Sequence, residues 1–291
     1  MDKIIQIMNQ PWAIEPRSDA SFRLALIHAI RNGSIEAFEK QITEDSVTAK
    51  VFTPTLTAES VNVASDWRLE DIDIPDDSVA LIYVEGCIYP WKAFDLEQKI
   101  EKVNNNPKLL GAVVLMNTPG GAIHRVDITS DSITNSRKPI AAYVTGICAS
   151  AGMWIASGAK RIFVASTIDS IGSIGVMATY MDDKKFWEAM GIVQTDLYAT
   201  LSTEKNHETR AMEAGDSTPI IAELDFANEL FHKTIATNRK LKYDTENSIF
   251  KGAIFNGTEA IANGLADQMG TLDQALTWVL TEGLRLQANK L

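Results

Sequence analysis

From residue 79 onward, short apolar segments alternate with segments of helical periodicity, and this alternation is the strongest constraint on the fold. Nearly all-apolar runs lie at 79–84, 110–116, 140–144 and 161–165. Strands without a polar face are typical of parallel sheets that helices cover on both sides. The connections between such strands are right-handed crossovers. We therefore expect an α/β fold whose core consists of stacked βαβ units.

The chain before this alternation differs in character. Two short segments with helical spacing precede a polar stretch, residues 43–77, which is rich in Thr, Ser and Asp. We interpret residues 1–76 as an N-terminal, mainly helical arm with a linker, and residues 77–291 as the main domain. The alternative, that residues 1–75 form the first layer of a single domain, stays open at this stage.

The last third of the chain predicts further helices. Pro219 stands where the first turn of a helix tolerates proline, and Thr218 before it is a candidate N-cap of a long helix. Gly257-Thr258 and Gly270-Thr271 each precede a segment that we expect to be a short helix.

Charge and cysteine content exclude several classes of function. The chain has 27 Lys and Arg against 38 Asp and Glu, a formal net charge of −11, whereas proteins that bind nucleic acid are basic. Cys87 and Cys148 lack metal-ligand spacing and are too few for a disulfide framework. We expect no nucleic-acid partner, no metal, no cofactor, and a reducing, cytoplasmic environment.

Residues 139–158 are about as long as a membrane span and carry no charge. The stretch contains hydroxyl residues and glycines, and its first half has the pattern of a strand while its second half has that of a helix. We therefore expect a buried strand–turn–helix unit and no stable membrane span.

Two turns between a strand and a helix carry residues that are suited to catalysis. The first is Asn117-Thr118-Pro119-Gly120-Gly121, in which paired glycines let a ligand approach backbone N–H groups. Such a turn suits an oxyanion or a phosphate. It lacks the third glycine of a dinucleotide fingerprint and the Lys-Ser/Thr of a phosphate loop, which disfavours a nucleotide. A purely structural turn is an equal alternative.

The second turn places Ser150 among small residues at the expected start of a helix. There a hydroxyl can act as a nucleophile while nearby N–H groups hold an oxyanion. The second neighbours of Ser150 are Cys148 and Gly152, which departs from the Gly-x-Ser-x-Gly elbow and disfavours an α/β-hydrolase. We interpret Cys148 as a buried, inert thiol.

A serine nucleophile needs a general base, and the sequence offers two kinds. Of the four histidines, His124 lies close to a candidate motif. A lysine can serve instead in a protected site, where lowering its pKa from about 10.4 to about 7 costs roughly 4–5 kcal/mol. Lys205, which follows an alternating, strand-like run, is the lysine candidate, although its polar surroundings are those of a surface loop.

Four motifs follow one another along the main domain. They are Asn-Thr-Pro-Gly-Gly (117–121), Ala-Ser-Ala-Gly-Met-Trp-Ile-Ala (149–156), Gly-Ser-Ile-Gly-Val-Met (172–177), and Phe-Asn-Gly-Thr-Glu-Ala with Gly-Leu-Ala-Asp-Gln-Met-Gly (255–270). In this order they resemble the signal peptide peptidase A (protease IV) family, which shares its fold with the ClpP and crotonase group, and the similarity covers about residues 79–280. The resemblance implies a ClpP/crotonase-like core and a serine–lysine peptidase that works through an acyl-enzyme and forms homo-oligomers.

Carried over by position, the resemblance implies that Ser150 is the nucleophile and Lys205 the general base. Ser173 would orient the lysine, and Ser170 competes for that role because Ser170-Ile171-Gly172 partly repeats the motif. The family has a glycine after the nucleophile where this chain has alanine. The oxyanion hole would consist of N–H groups of Gly120, Gly121 and Ala151.

The opening Gln10-Pro11-Trp12-Ala13-Ile14 resembles the phage and prophage branch of the family, whose members act in capsid assembly. We therefore expect an endopeptidase for peptide or protein substrates, in capsid maturation or in the degradation of signal or membrane peptides. A phage-encoded protein would be virion-associated rather than cytoplasmic. Two alternatives are a crotonase-like acyl thioester enzyme, disfavoured because residues 139–168 lack Glu and Asp, and a catalytically silent scaffold for capsid assembly.

Overall fold

The computed structural model places ten strands and eight α-helices in the part of the chain that it describes. The described residues are 12–14, 25, 29, 32–37, 40, 48–52, 74–180, 182, 184–193 and 195–289. The strands are β1 (Trp12–Ile14), β2 (Thr48–Phe52), β3 (Ser78–Glu85), β4 (Leu109–Thr118), β5 (Gly120–Ala122), β6 (Ile140–Ala149), β7 (Arg161–Val164), β8 (Ser170–Gly172), β9 (Ile254–Asn256) and β10 (Gln268–Met269). The helices are α1 (Pro90–Asn105), α2 (Val126–Thr134), α3 (Ala151–Ser157), α4 (Lys184–Ala189), α5 (His207–Glu213), α6 (Thr218–Asn238), α7 (Gly257–Ala262) and α8 (Leu272–Ala288), with a 3₁₀ helix at Ser248–Lys251.

The main sheet has the strand order β10-β7-β6-β4-β3-β2. Along this order the strands are parallel except for β2, which pairs antiparallel with β3. The same sheet includes β8, which is parallel to β6, and β9, which is antiparallel to β8. Helix α1 connects β3 to β4, α2 lies between β4 and β6, and α3 connects β6 to β7. The predicted α/β fold of stacked βαβ units is therefore confirmed.

Helices cover both faces of this sheet, as the unbroken apolar strands predict. On one face, Ile82 and Val114 pack with Leu96 of α1 and Trp154 of α3 in the larger core cluster. On the other face, residues of β3, β4 and β6 pack against α8. Since burying one large aliphatic side chain contributes about 1.5–3 kcal/mol, strands apolar on both faces stabilise a sheet only when both faces are covered.

Two helix boundaries differ from the sequence-based expectation. Thr218 is the first residue of α6 rather than its cap, and Ser217 holds the cap position ahead of Pro219 in the first turn. Helix α8 has 17 residues and is not short. It begins with a capping box in which Thr271 and Gln274 satisfy each other's backbone N–H groups, and its apolar side packs along the sheet.

The polar stretch 43–77 contains a strand, so its interpretation as a linker is wrong for residues 48–52. Strand β2 adds an antiparallel edge to β3, and Ala49 and Val51 are buried in the main core. Ala49 and Val51 point to one face because side chains alternate along a strand. Phe52 points to the other face and packs against the smaller core cluster. The helices expected before residue 43 lie mostly outside the described residues, and the boundary at residue 76 stays a prediction.

Residues 139–158 contain all of β6 and all of α3, which confirms the expected strand–turn–helix unit. All seven residues of α3 are buried, because the helix lies between the sheet and α2 and α6. Among the described residues, no helix is both long and apolar enough to cross a membrane.

Candidate active site

Ser150 forms the sharp turn between β6 and α3. Its backbone dihedrals are φ 54° and ψ −119°, a region that residues other than glycine rarely adopt. The residue is fully buried. Strained backbone of this kind persists only where the surroundings hold it, and it is common at functional sites.

Three hydrogen bonds hold this turn. The Ser150 N–H donates to the carbonyl oxygen of Gly172 over 2.8 Å, and the Ser150 carbonyl accepts from the Trp154 N–H over 2.9 Å. The Ser150 hydroxyl donates to the carbonyl oxygen of Gly175 over 3.3 Å. The backbone is therefore held from β8 on one side and from α3 on the other, and the hydroxyl is directed at the segment that follows β8.

That segment carries Ser173, the residue predicted to orient the base. Strand β8 pairs with β6 so that Gly172 lies opposite Ala149, immediately before Ser150. Gly172 has φ 124°, and a Cβ there would lie 2.5 Å from the carbonyl oxygen of Ala253. Ser173 is buried, has φ 52°, and donates its N–H to the same Ala253 oxygen over 2.7 Å. The fold thus brings Ser173 beside the Ser150 turn. Ser170, its competitor, begins β8 and is partly exposed.

The paired glycines lie in β5, directly after β4. Gly120 has φ 98°, and its N–H donates to the Thr118 hydroxyl over 3.1 Å. A Cβ on Gly121 would overlap the carbonyl oxygen of Ile88, so this position requires glycine. Ile88 donates its N–H to the Gly120 carbonyl and accepts from the Ala122 N–H, each over 2.8 Å.

The glycine turn and the Ser150 turn lie at the same edge of the sheet. Thr118 at the end of β4 pairs with Cys148 of β6, and a Cβ on Gly152 would lie 2.5 Å from the Thr118 methyl group. Ala151, the third predicted oxyanion donor, is the first residue of α3. The N–H groups of a first helical turn have no acceptor within the helix and favour negative charge. Ala151 directly follows Ser150, and the strand pairing brings the glycine turn to the same edge, where the Gly120 N–H is bonded to the Thr118 hydroxyl.

Two polar side chains hold the bend of β6 ahead of Ser150: Asp169, which sequence analysis did not single out, and Asn117 of the first candidate turn. The buried Asp169 accepts from the N–H of Gly146 and the N–H of Ser166, each over 2.9 Å. The side-chain oxygen of Asn117 accepts from the Ile147 N–H over 3.4 Å. A usable signal was Asp169 itself, the first acidic residue after an acid-free stretch of 30 residues, 139–168.

Asp169 also influences its neighbour in the sheet. Burial, together with the negative charge of Asp169, raises the pKa of Tyr143 above its ordinary value. Tyr143 therefore stays a neutral phenol across the physiological pH range.

Lys205 is exposed, in the turns between α4 and α5. Its N–H donates to the Ser202 carbonyl over 3.3 Å. Within the described part of the chain, no hydrogen bond or ion pair links Lys205 to Ser150. The structure thus brings together the predicted nucleophile, the orienting serine and the oxyanion donors, and leaves the predicted base apart from them.

The loop that presents Lys205 is ordered by local contacts. Arg210 donates to the Thr203 carbonyl over 2.5 Å and lies over the Tyr198 ring, 5.1 Å from its centroid. Asn206 donates to the Tyr198 hydroxyl over 3.3 Å. The strand expected just before Lys205 is wrong, because residues 195–199 are irregular. Leu197 is 90% exposed, and none of the strands in the described ranges pairs with this segment.

The two other candidates for reactive groups differ in burial. His124 is exposed, on the turn that follows β5. Cys148 is fully buried, as expected, and burial raises the pKa of its thiol to about 12. Its neutral form makes it a poor competitor of Ser150 as a nucleophile.

His232 of α6 is another of the four histidines that the sequence offers as a base. It is buried against the rings of Tyr243 and Phe250, with ring centroids 5.8 Å and 5.3 Å away. Burial lowers its pKa, an effect that a hydrogen bond with the Ile174 backbone partly opposes. His232 therefore belongs to the packing of α6.

Comparisons with known proteins found relatives of this chain by sequence and by structure. The chain is 24% identical to Protease 4 of Salmonella typhi over 221 residues, which cover 72% of this chain and 35% of that protein. It is 24% identical to the Capsid assembly protease C of Escherichia phage lambda over 298 residues, which cover 97% of this chain and 66% of that protein. The solved structure of an enoyl-CoA hydratase from Shewanella pealeana ATCC 700345 shares 8% identity and a TM-score of 0.47, covering 71% of this chain and 70% of the other.

The chain spans about a third of the length of Protease 4. The model of Peptidase family S49 matches residues 132–284. The matched region includes the strand β6, the Ser150 turn and the segment with Ser173. Because it covers more than half of the chain, this chain belongs to peptidase family S49.

Proposed function

We propose that this chain is a serine endopeptidase whose nucleophile is Ser150 and whose general base is Lys205. The observation that carries the proposal is the strained, buried turn that places Ser150 beside the glycine turn at one edge of the sheet. Membership of a peptidase family supports this chemistry over an acyl thioester reaction and over a silent scaffold.

The reaction follows from the arrangement. The Ser150 hydroxyl attacks the carbonyl carbon of a peptide bond, while the Lys205 amine takes the hydroxyl proton and passes it to the leaving amine. N–H groups of Ala151 and of Gly120 or Gly121 stabilise the oxyanion. Water then hydrolyses the acyl-enzyme, with Lys205 again acting as the base, and Ser173 orients the lysine.

Before the base arrives, the Ser150 hydroxyl donates to the Gly175 carbonyl. A carbonyl accepts a hydrogen bond but cannot take the proton at neutral pH, so this contact orients the hydroxyl without activating it. Activation therefore requires an amine that enters from outside the buried turn.

We propose that Lys205 reaches the Ser150 of a neighbouring copy in a homo-oligomer. The segment around Lys205 exposes large apolar side chains, of which Leu197 is 90% and Leu201 95% exposed. Large apolar side chains exposed to this degree are suited to burial against a neighbouring copy. Burial in an interface would also favour the neutral amine that a general base requires.

The test is to mix two inactive variants, Ser150→Ala and Lys205→Ala. Each alone is expected to lose at least about a thousandfold in peptide cleavage. If the base comes from a neighbour, randomly mixed oligomers regain about a quarter of the wild-type activity, because half of the subunits keep the serine and half of their neighbours keep the lysine. The matched control is Lys242→Ala, which removes another exposed lysine and leaves the rate unchanged.

Three outcomes decide between the steps of this proposal. Cleavage retained by Ser150→Ala contradicts the peptidase assignment. Full activity of Lys205→Ala contradicts the assigned base and makes His124 the next candidate. No recovery on mixing, with both variants inactive and correctly folded, places the base in the same subunit.

For the substrate, we propose a capsid-associated protein. The phage lambda relative named Capsid assembly protease C aligns with 97% of this chain, including its N-terminal part. Incubating the chain with phage capsid and scaffold proteins, with Ser150→Ala as the control, tests this assignment by the appearance of defined fragments. Intact capsid proteins alongside a cleaved signal peptide would overturn it.

A further inference from the structure

The N-terminal strand lies on the glycine turn of the candidate active site. Strand β1 pairs antiparallel with β5, with Trp12 opposite Ala122, Ala13 opposite Gly121 and Ile14 opposite Gly120. These two strands form a sheet of their own, separate from the main sheet. The residues that β1 covers include two of the predicted oxyanion donors.

The hydrogen bonds of β5 show which backbone groups face β1. Ile88 donates to the Gly120 carbonyl and accepts from the Ala122 N–H, so those groups face away from β1. Backbone groups alternate in direction along a strand, so the N–H and C=O of Gly121 face the opposite edge, where Ala13 is the register partner. Ala13 and Gly121 are therefore the hydrogen-bonded pair of this ladder.

We propose that residues 12–14 form a built-in inhibitory strand that occupies the edge of β5 where an extended peptide substrate would pair. The inference rests on the proposed function, because only a peptidase has a substrate of this kind. An extended peptide that adds to a sheet edge uses the same main-chain hydrogen bonds that β1 now makes. Ile88 bonds to the other edge of β5, so a substrate peptide would have to pair with the edge that β1 now covers.

Because β1 is short, a substrate can displace it from the edge of β5. Strand β1 has three residues, and an isolated two-stranded ladder is marginally stable in water. Because β1 belongs to the same chain, its effective concentration at the edge is on the order of millimolar, above that of most free peptides. A weak but tethered strand thus blocks the edge against poor substrates and yields to a substrate that binds additional surface.

The test uses the full chain with Ala13→Pro, which removes the N–H that Ala13 offers to Gly121. The matched control is Ala13→Val, which keeps the N–H and favours an extended strand. Each protein is treated with a peptidyl phosphonate, which must pair with the edge to reach Ser150, and with a small fluorophosphonate, which reports the reactivity of Ser150 alone.

We expect Ala13→Pro to react about fivefold faster with the peptidyl probe, the effect of losing one backbone hydrogen bond. Ala13→Val should react at the wild-type rate or more slowly. A synthetic peptide of residues 10–16, added to Ala13→Pro, should slow its labelling again. Equal denaturation midpoints in urea show that the variants are folded.

The other outcomes overturn the inference in distinguishable ways. Equal peptidyl rates in Ala13→Pro and Ala13→Val, with Ser150 labelled by the small probe, leave the peptidase assignment intact and remove the inhibitory role. Slower labelling of folded Ala13→Pro means that β1 helps to build the site. No labelling of Ser150 by either probe in any of the proteins overturns the proposed function and, with it, this inference.

Discussion

The strain stored at Ser150 can be measured by comparing two substitutions that both remove the hydroxyl. Ser150→Ala keeps a side chain at φ 54° and ψ −119°, whereas Ser150→Gly removes the Cβ that makes this conformation unfavourable. Both variants lose the hydrogen bond to the Gly175 carbonyl. The contribution of the hydroxyl therefore cancels in the difference between their free energies of unfolding.

The expected magnitude combines three contributions. A strained backbone residue of this kind costs about 1–3 kcal/mol, which glycine relieves. Glycine in turn loses about 0.5–1 kcal/mol of backbone entropy and about 0.8 kcal/mol of methyl burial. At position 150, the variant with glycine should thus lie between about 0.8 kcal/mol below and about 1.7 kcal/mol above the variant with alanine in free energy of unfolding, with a midpoint near about 0.5 kcal/mol. At an unstrained buried site, the same replacement should cost about 1.5 kcal/mol.

Ala142 supplies the unstrained control, because it is fully paired in β6 and buried. Urea denaturation of the wild type, Ala142→Gly, Ser150→Ala and Ser150→Gly gives both differences. We expect alanine-to-glycine replacement to be about 2 kcal/mol more favourable at position 150 than at position 142. Equal costs at the two positions would refute the argument that the nucleophile turn stores strain.

Two further predictions concern the packing and chemistry around this turn. Phe231→Ala should lower the free energy of unfolding by about 3–5 kcal/mol, because the Phe231 ring stacks on Trp154 at 4.4 Å between centroids in the core. Phe226→Ala on the same helix, 74% exposed, should change it by less than about 0.5 kcal/mol, and similar losses in both would contradict this packing role. Iodoacetamide at pH 8 should leave Cys148 of the folded chain unmodified, since burial raises its pKa to about 12, and should modify it in denaturant. Rapid modification of Cys148 in the folded chain, read by mass spectrometry, would contradict its inert assignment.

The sequence predicted those parts of the molecule that local patterns determine. The apolar runs predicted the parallel strands, and the position of Ser150 between a strand and a helix predicted the turn that the structure contains. Such features depend on periodicity and on small residues within about ten positions of each other. The paired glycines likewise predicted the glycine turn. The structure shows why one of them is needed, because a Cβ at Gly121 would overlap the Ile88 carbonyl.

Long-range pairings were not visible in the same way. Strand β1 pairs with Gly121, which lies more than a hundred residues further along the chain. Strand β2 pairs with β3, but the polar residues on either side of β2 hid it from sequence analysis. Asp169 accepts a hydrogen bond from the Gly146 N–H, a contact that arises only when the folded chain brings the two residues together. The position of Lys205 presents a different problem, because the surroundings of an exposed side chain depend on what the chain assembles with.

The described chain and the two proposals together imply a peptidase that is inactive as a separate subunit. The hydroxyl of Ser150 donates to a carbonyl, and the exposed Lys205 shares no bond with it in the part of the chain that the structure describes. The edge of β5 is paired with β1. Each restraint is removed by a different event: a neighbouring copy supplies the base, and a substrate bound over a larger surface displaces β1. The first event requires assembly and the second requires a bound substrate, so cleavage would begin only in an assembly of copies that already holds its substrate.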